Sequence, residues 1–434
     1  MSFVSLRTEK LHDLPHAQRG RDHARGQPSG WSNRGCFAGS HVTKELTVPE
    51  GEATSMKGRR IIAVAVLGAL AVAGCGSSKG GGTHAAIKNC KATIGIEGPL
   101  TGPVGVLGQE QLHFAQLALS MDNKANKTKI SLVQGDTQLN PAKATTVTQQ
   151  LTSNSKIVAV VGPAGSQEVE AVGPLMARAG LAFMSGSATN VTLTQGKYPT
   201  FFRVVSNDRV QGQNDANYIV NNLHPKAVMI VDDQEVYSTG LVGFMTPILK
   251  AAGIKVDHES VSQKLTDFSS LVAKVTPATS VVILPWQVAS NAQQFGRNLA
   301  QQHKKALIFG TDGLFSPGTF TISGSYVSAF GPDITAIPAD ASLVATAKAK
   351  FGSFGTFGPP IFAATHVIDE AIASVCKAGQ TPSRANVLAA IKKTNESTSI
   401  LGQPISFNSH GDNAHGKFFL FKINSAGKYQ LIPG

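Results

Sequence analysis

From residue 91 onward, short apolar runs rich in β-branched residues alternate with longer stretches whose apolar positions recur at helical spacing. KATIGIE predicts a first strand, and GQEQLHFAQLALSMDNKAN a helix ending at residue 126. KISLVQGD follows as a strand, then a helix over 141–152 with Asn140 as its cap and Pro141 in its first turn. IVAVVG is a third strand, Ser166 can cap the next helix through Met176, and LAFMSG is a fourth strand. FFRVVSND reads as a crossing segment, after which the alternation restarts. Helices over 209–222, 238–251, 267–274 and 289–302 separate the strands AVMIVDD, IKVDHESV, SVVILPW and ALIFGTDG. Past YVSAFGPD, near residue 331, helical stretches return over 341–350, 361–378 and 384–393, and the last 30 or so residues look like β-structure.

Strand–helix alternation of this kind argues for parallel sheets covered by helices on both faces. The expected fold class is therefore α/β, with two doubly wound parallel-sheet lobes joined by three crossover segments, near 206, near 331 and near the C-terminus. One lobe would comprise 90–205 plus 332–414, the other 206–331 plus 415–434. With 434 residues, the chain exceeds what one hydrophobic core usually serves.

One apolar run breaks the pattern. MKGRRIIAVAVLGALAVAGC has a basic start at Lys57, Arg59 and Arg60, and an uncharged stretch from Ile61 to Ala73 too short for a membrane span. Val72-Ala73-Gly74-Cys75 resembles the bacterial lipobox, which implies cleavage before Cys75 and attachment of a diacylglycerol to its thiol. Residues 56–74 are then a lipoprotein signal peptide. Residues 75–89, beginning CGSSKGGGTHAA, are a Gly/Ser-rich tether. Residues 1–55 are polar, without apolar periodicity, and predict disorder. A signal peptide should open a chain, so translation is expected to start at Met56, the alternative being a genuine extension.

Charge narrows the partners. The formal net charge is +12, yet no Lys/Arg run exceeds two residues. A dispersed surplus is a solubility feature, and nucleic-acid binding would want a basic stripe or a recognition motif. The cysteines number four. Cys36 lies in the extension and Cys75 is the lipid site, leaving Cys90 and Cys376 to form a disulfide in an oxidising compartment or to stay as two buried thiols. No CxxC or clustered His/Cys spacing suggests zinc, and no cofactor is expected.

Ligands of open parallel sheets bind beyond the carboxyl ends of the strands. The segments there are GPLTGPVGVLGQE, GPAGSQE, SGSATN, DDQEVYSTG, PWQV and GTDG. Ser166 offers a hydroxyl at a helix start, where backbone N–H groups and the helix dipole favour a carboxylate. Ser187 and Thr189 add donors, and Asp312 can pair an ammonium. Tyr237 and Trp286 supply aromatic walls from the second lobe, and Leu107 an apolar one from the first. Each has an ordinary alternative: Ser166 a helix cap, Ser187 and Thr189 turn residues, Trp286 core, Asp312-Gly313 a turn.

With these segments in place, residues 91–425 resemble the leucine/isoleucine/valine-binding family, the type I periplasmic binding proteins. The likeness rests on GPLTGPVGVLGQE, Asp136–Pro141 as D-x₄-P, VVGPAGS, MSGSAT, FFRVVSNDRVQG, VDDQEVYSTGL and IFGTDGL, with Gly162 to Thr189 matching without a gap. The resemblance implies that Ser166 holds the α-carboxylate of an amino acid. It implies that the Ser187 carbonyl meets the ammonium, that Thr189 touches both groups, and that Tyr237 closes from the second lobe. Asp312 matches an acid, commonly glutamate, that binds the ammonium. Leu107 stands where an aromatic is frequent, and Trp286 or Gln287 matches a small-plus-tyrosine segment. Leu139 and Gly165 occupy the positions of the family's first-lobe disulfide. The expected protein is an extracytoplasmic, lipid-anchored solute-binding protein that closes on an amino acid and delivers it to the permease subunits of an ABC importer. A sensing lipoprotein of the same fold, binding an amide, urea-like or aromatic compound, is the alternative. An enzyme is disfavoured: GxSxG, HExxH and phosphate-loop signatures are absent, and His224, His258, His303 and His366 have no evident nucleophile partner.

Overall fold

The computed structural model describes residues 85–433. Residues 1–55, the signal peptide at 56–74, Cys75 and most of the tether lie outside the described residues.

The first sheet holds β1 (Lys91–Gly98), β2 (Lys129–Asp136), β3 (Ile157–Val161), β4 (Ala182–Ser185) and β5 (Phe201–Arg203), all parallel, in the order β2-β1-β3-β4-β5. β3 and β4 are fully buried and apolar apart from Ser185, as inner strands covered on both faces must be, whereas KISLVQGD of β2 mixes apolar and polar residues, is mostly exposed or half-buried and takes an edge. FFR, read from sequence as part of a crossing, is the fifth strand of this sheet, and the chain leaves for the second lobe just after it. On one face lie α1 (Gly105–Asn126) and, from the far end of the chain, α9 (Gly358–Lys377) and α10 (Arg384–Ile391), with α8 (Ala341–Phe351) outside α1. On the other lie α2 (Pro141–Ser153) and α3 (Ser166–Arg178). The β4 side chains divide between them: Ala182 and Met184 join the core under α1 and α9, Phe183 the core under α2 and α3.

The second sheet repeats the plan. β6 (Ala227–Asp232), β7 (Lys255–Ser260), β8 (Thr279–Leu284), β9 (Leu307–Gly310) and β10 (Tyr326–Ala329) run parallel, and the C-terminal hairpin β13 (Phe419–Ile423) and β14 (Tyr429–Ile432) adds antiparallel beyond β10. β11 (Asn395–Glu396) and β12 (Ile405–Ser406) form a separate two-stranded ribbon. Val228 and Ile230 face α4 (Asp208–Tyr218) and α5 (Val236–Ala251). Met229 and Val231 face α6 (Ser269–Ala273) and α7 (Ala289–Gln301).

Local chemistry explains the element starts. Asn140 Oδ1 accepts the N–H groups of Ala142 and Lys143 and so caps α2. Glu168 reaches back from α3 to the Gly165 N–H at 2.8 Å, which makes Gly165 the cap and Ser166 the first helical residue. α4 ends four residues short of its sequence prediction, because Ile219–Leu223 widens into a π-turn. Cys90, before β1, and Cys376, in the last turn of α9, are joined by a disulfide with their Cα atoms 5.8 Å apart.

Candidate functional site

The carboxyl ends of both sheets face one cleft. A small cavity there is lined by Leu107, Leu139, Ala164 and Ser187 from the first lobe, by Tyr237, Gln287, Asp312 and Gly313 from the second, and by Phe357. Its volume is about 20 Å³, room for roughly one water. Leu107, Gln287, Gly313 and Phe357 are also walls of an adjoining hollow of about 200 Å³, whose remaining lining includes Phe315, Phe354, Val104 and Val106. The cleft thus has a contracted polar end and a roomier, largely apolar end.

On the first lobe, the polar end is built from the loops after β3 and β4. Gly162 has φ +99°, and a Cβ there would lie 2.1 Å from the Glu97 carbonyl oxygen, so glycine is needed where β3 turns. Ser185 donates to Pro163 O at 2.7 Å and accepts the N–H groups of Ser187 and Ala188, which curls the second loop against the first. Ser187 Oγ donates to Ala164 O at 2.9 Å and accepts from Gln111 Nε2 at 3.0 Å. Ser166 Oγ accepts the Asn190 N–H at 3.1 Å, leaving its own proton available to a ligand. Thr189 is wholly buried and its Oγ1 has no hydrogen-bond partner. Beneath this loop lies Arg203, with no exposed surface. It donates from Nε to Asp412 at 2.6 Å, from one terminal nitrogen to the carbonyls of Ala188 and Asn190, and from the other to Thr194 Oγ1. The fork geometry of a guanidinium suits this bracing of a loop.

On the second lobe, Tyr237 enters from the first turn of α5. Its hydroxyl donates to Asp312 Oδ1 at 2.8 Å, accepts the Gly313 N–H at 3.2 Å and lies 2.6 Å from Thr311 Oγ1. Burial raises the Asp312 carboxyl to about 7, against the lowering effect of its Tyr237 and Gln211 hydrogen bonds. Asp208, whose carboxylate oxygens have no hydrogen-bond partner, is pushed up to about 8 by burial and by the Asp312 charge. Asp215, bonded by Ser328 Oγ at 2.8 Å, is also raised by burial and by Asp312. Three buried acids therefore sit close together, while no lysine or arginine lines the cavity.

Two bonds cross the cleft. Gln167 Nε2, from α3, donates to Gln287 Oε1 at 2.8 Å, and Asn190 Nδ2 donates to the Val236 carbonyl at 2.7 Å. Gln263 Nε2 supports the first by donating to Gln287 Oε1 and to Asp233 Oδ2.

Of the seven residues singled out from sequence, Leu107, Ser187, Tyr237 and Asp312 line the cavity. Ser166 and Thr189 are buried beside it. Trp286 is a correction: it is not a cleft wall. Its indole N–H donates to Val231 O at 2.8 Å, the ring packs between Phe268 and Phe295, and the residue is 2 % exposed. Consecutive residues leaving a strand point opposite ways, so Trp286 fills the second-lobe core and Gln287 faces the ligand side. Sequence reading also passed over Gln167, Asn190, Arg203, Asp208 and Phe357. For Arg203 and Asp208 a signal existed, the two charged residues of FFRVVSND, though it did not say what either would bind.

These features are those of a two-lobed binding protein of α/β type, and the comparisons with known proteins agree. The chain belongs to the periplasmic binding protein family, whose model matches residues 91–428. An "Amino acid binding protein" of Pseudomonas aeruginosa is 27 % identical over 350 residues, covering 78 % of this chain and 92 % of the relative. A "Leu/Ile/Val-binding protein homolog 3" of Brucella melitensis is 27 % identical over 338 residues, covering 76 % and 90 %. In fold, the chain is similar to the branched-chain amino acid transporter substrate binding protein of Streptococcus pneumoniae solved with isoleucine. That structure has a TM-score of 0.71 at 23 % identity, covering 79 % of this chain and 99 % of the neighbour. The fold is thus the type I periplasmic-binding-protein fold.

Proposed function

We propose that this protein captures an α-amino acid with an apolar side chain by lobe closure and hands it to the permease of an ABC importer. The observation that carries the reading is the Asp312 carboxylate, held by Tyr237 on the cleft wall with Asp208 and Asp215 behind it and no cation in the lining. An ammonium is the group such a site lacks. Opposite it, Ser166 at the start of α3, Ser187 and the unpartnered Thr189 hydroxyl suit an α-carboxylate. The hollow past Leu107 and Phe357 suits an apolar side chain, and its size leaves branched-chain and larger residues open.

In this reading, residues 90–205 plus 332–414 and 206–331 plus 415–434 form the two closing lobes, and Cys75 carries the lipid that keeps them beside the transporter. Calorimetry of the purified protein, stripped of ligand by unfolding and refolding, against the α-amino acids tests it. One or more apolar amino acids should bind, and Asp312→Ala should weaken that binding by at least about tenfold, since a hydrogen bond to a charged group contributes about 1.5–3 kcal/mol. Absence of heat with every amino acid, or undiminished affinity in Asp312→Ala, would end the proposal.

A further inference from the structure

Away from the cleft, on the outer side of the first lobe, α1 and α9 bring together three side chains that the amino-acid site does not use. One ligand atom from each of Asp122, His366 and Glu370 lies within 4.8 Å of the others. His366 and Glu370 stand four residues apart on α9, so one helix face presents both, and Asp122 faces them from the last turns of α1. His366 Nδ1 lies 2.9 Å from Asp122 Oδ1. Asn126 Nδ2 donates to Glu370 Oε1 at 2.5 Å and is itself bonded by Lys377 Nζ at 3.2 Å, which orients the carboxylate from behind.

The group is under-satisfied as it stands. Asp122 is 6 % exposed, and its Oδ2 has no hydrogen-bond partner. Asp369, three residues after His366 on the same face, is 1 % exposed, and neither of its carboxylate oxygens has a partner. Glu396, half-buried across a groove that His366 and Glu370 help to line, adds a fourth carboxylate. Among the described residues, no lysine or arginine makes an ion pair with any of these four acids, whose one charged partner is His366, paired with Asp122. The single imidazole leaves Asp369 and the second Asp122 oxygen without partners, and such buried carboxylate oxygens are expensive unless a cation is bound.

We propose that Asp122, His366 and Glu370 form a divalent transition-metal site, with zinc as the fitting ion, that clamps α1 to α9. One imidazole and two carboxylates supply three of the N and O ligands zinc accepts, and the groove beside His366 and Glu370 gives water access to the fourth position. Ligands about 2.0–2.2 Å from a tetrahedral ion lie roughly 3.4 Å from one another, so the 2.9 Å contact of His366 with Asp122 must open while wider separations, up to 4.8 Å, close. An imidazole donor disfavours calcium and magnesium, which take oxygen ligands. Asp369 supplies negative charge behind the ion. The spacing rule that found no zinc motif in the sequence could not see this set, because Asp122 lies 244 residues from His366.

The test is zinc chloride titrated into the full chain after chelator treatment, followed by calorimetry and elemental analysis, with cobalt as a spectroscopic substitute. The expected result is one zinc per chain that survives desalting, a raised Tm, and cobalt absorption bands of a low-coordinate site. Glu370→Gln and His366→Ala should each weaken zinc binding at least tenfold. If His366→Ala does not fold, Glu370→Gln, at a partly exposed position, gives the same readout. Failure to retain zinc, equal affinity in the variants, or binding of calcium in preference to zinc would overturn the proposal. The amino-acid site is read separately by calorimetry, so the two assignments stand or fall independently.

Discussion

At the scale of single residues, the decisive contrast is between neighbours. Trp286 and Gln287 leave the same strand, yet the indole is sealed in the second-lobe core while the amide spans the cleft. Asp312 and Asp208 show a second contrast, since both are acids whose burial holds their protons to near or above neutral pH. An ammonium ligand pairs with the ionised form, so the Asp312 proton must leave on binding. The folded, unliganded carboxyl titrates at about 7, and the bound form must titrate lower. Binding is therefore at full strength above that value and is lost as pH falls below it. Calorimetry at pH 8 and pH 6 should show about tenfold weaker affinity at the lower pH, with proton uptake by the buffer at pH 7. An affinity flat across that interval would remove Asp312 from contact with the ammonium.

Among elements, α3 is the one that links recognition to closure in the proposed reading. Its first residue, Ser166, braces the Ser187–Asn190 loop, and its second, Gln167, reaches the opposite lobe. Shortening that side chain should leave docking to the open first lobe intact and destabilise the closed form. Gln167→Ala is expected to raise the ligand dissociation rate by roughly three- to tenfold, as loss of one uncharged hydrogen bond would, while the association rate changes little. Stopped-flow fluorescence measures both, and a change confined to association would contradict this role. The segment after β4 is held differently, from below, by Arg203 and its four acceptor residues. No local spacing announces such a brace, since Asp412 arrives from 209 residues away.

For the whole molecule, the chain crosses from the first sheet to the second after β5, returns after β10, and crosses again before β13. In the proposed reading, three such crossings serve as the hinge about which the lobes close. Among the described residues, no helix is long and apolar enough to cross a membrane. The proposed reading assigns attachment to a lipid on Cys75, since two acyl chains are enough to hold a protein at a bilayer. Cys75→Ser, expressed in a lipoprotein-processing bacterium, should move the protein from the membrane fraction to the soluble one. Continued membrane retention would point to another anchor.

Much of this was legible in the amino-acid order alone. Strand–helix alternation, the apolar β3, β4, β6 and β8, the cap at Asn140 and the strand-end segments are local patterns, and local patterns follow from periodicity and backbone preference. They were enough to put Ser187, Tyr237 and Asp312 at one cleft. The direction in which Trp286 points, the Gln167–Gln287 bridge, the Arg203–Asp412 pair and the meeting of Asp122 with His366 were decided only when the chain folded, whereas the Cys90–Cys376 bond was already one of two readings of the sequence. Each joins residues tens to hundreds of positions apart, or turns on which face of a strand end meets the core. Such contacts are set by sheet order and lobe closure, which no short stretch of sequence encodes.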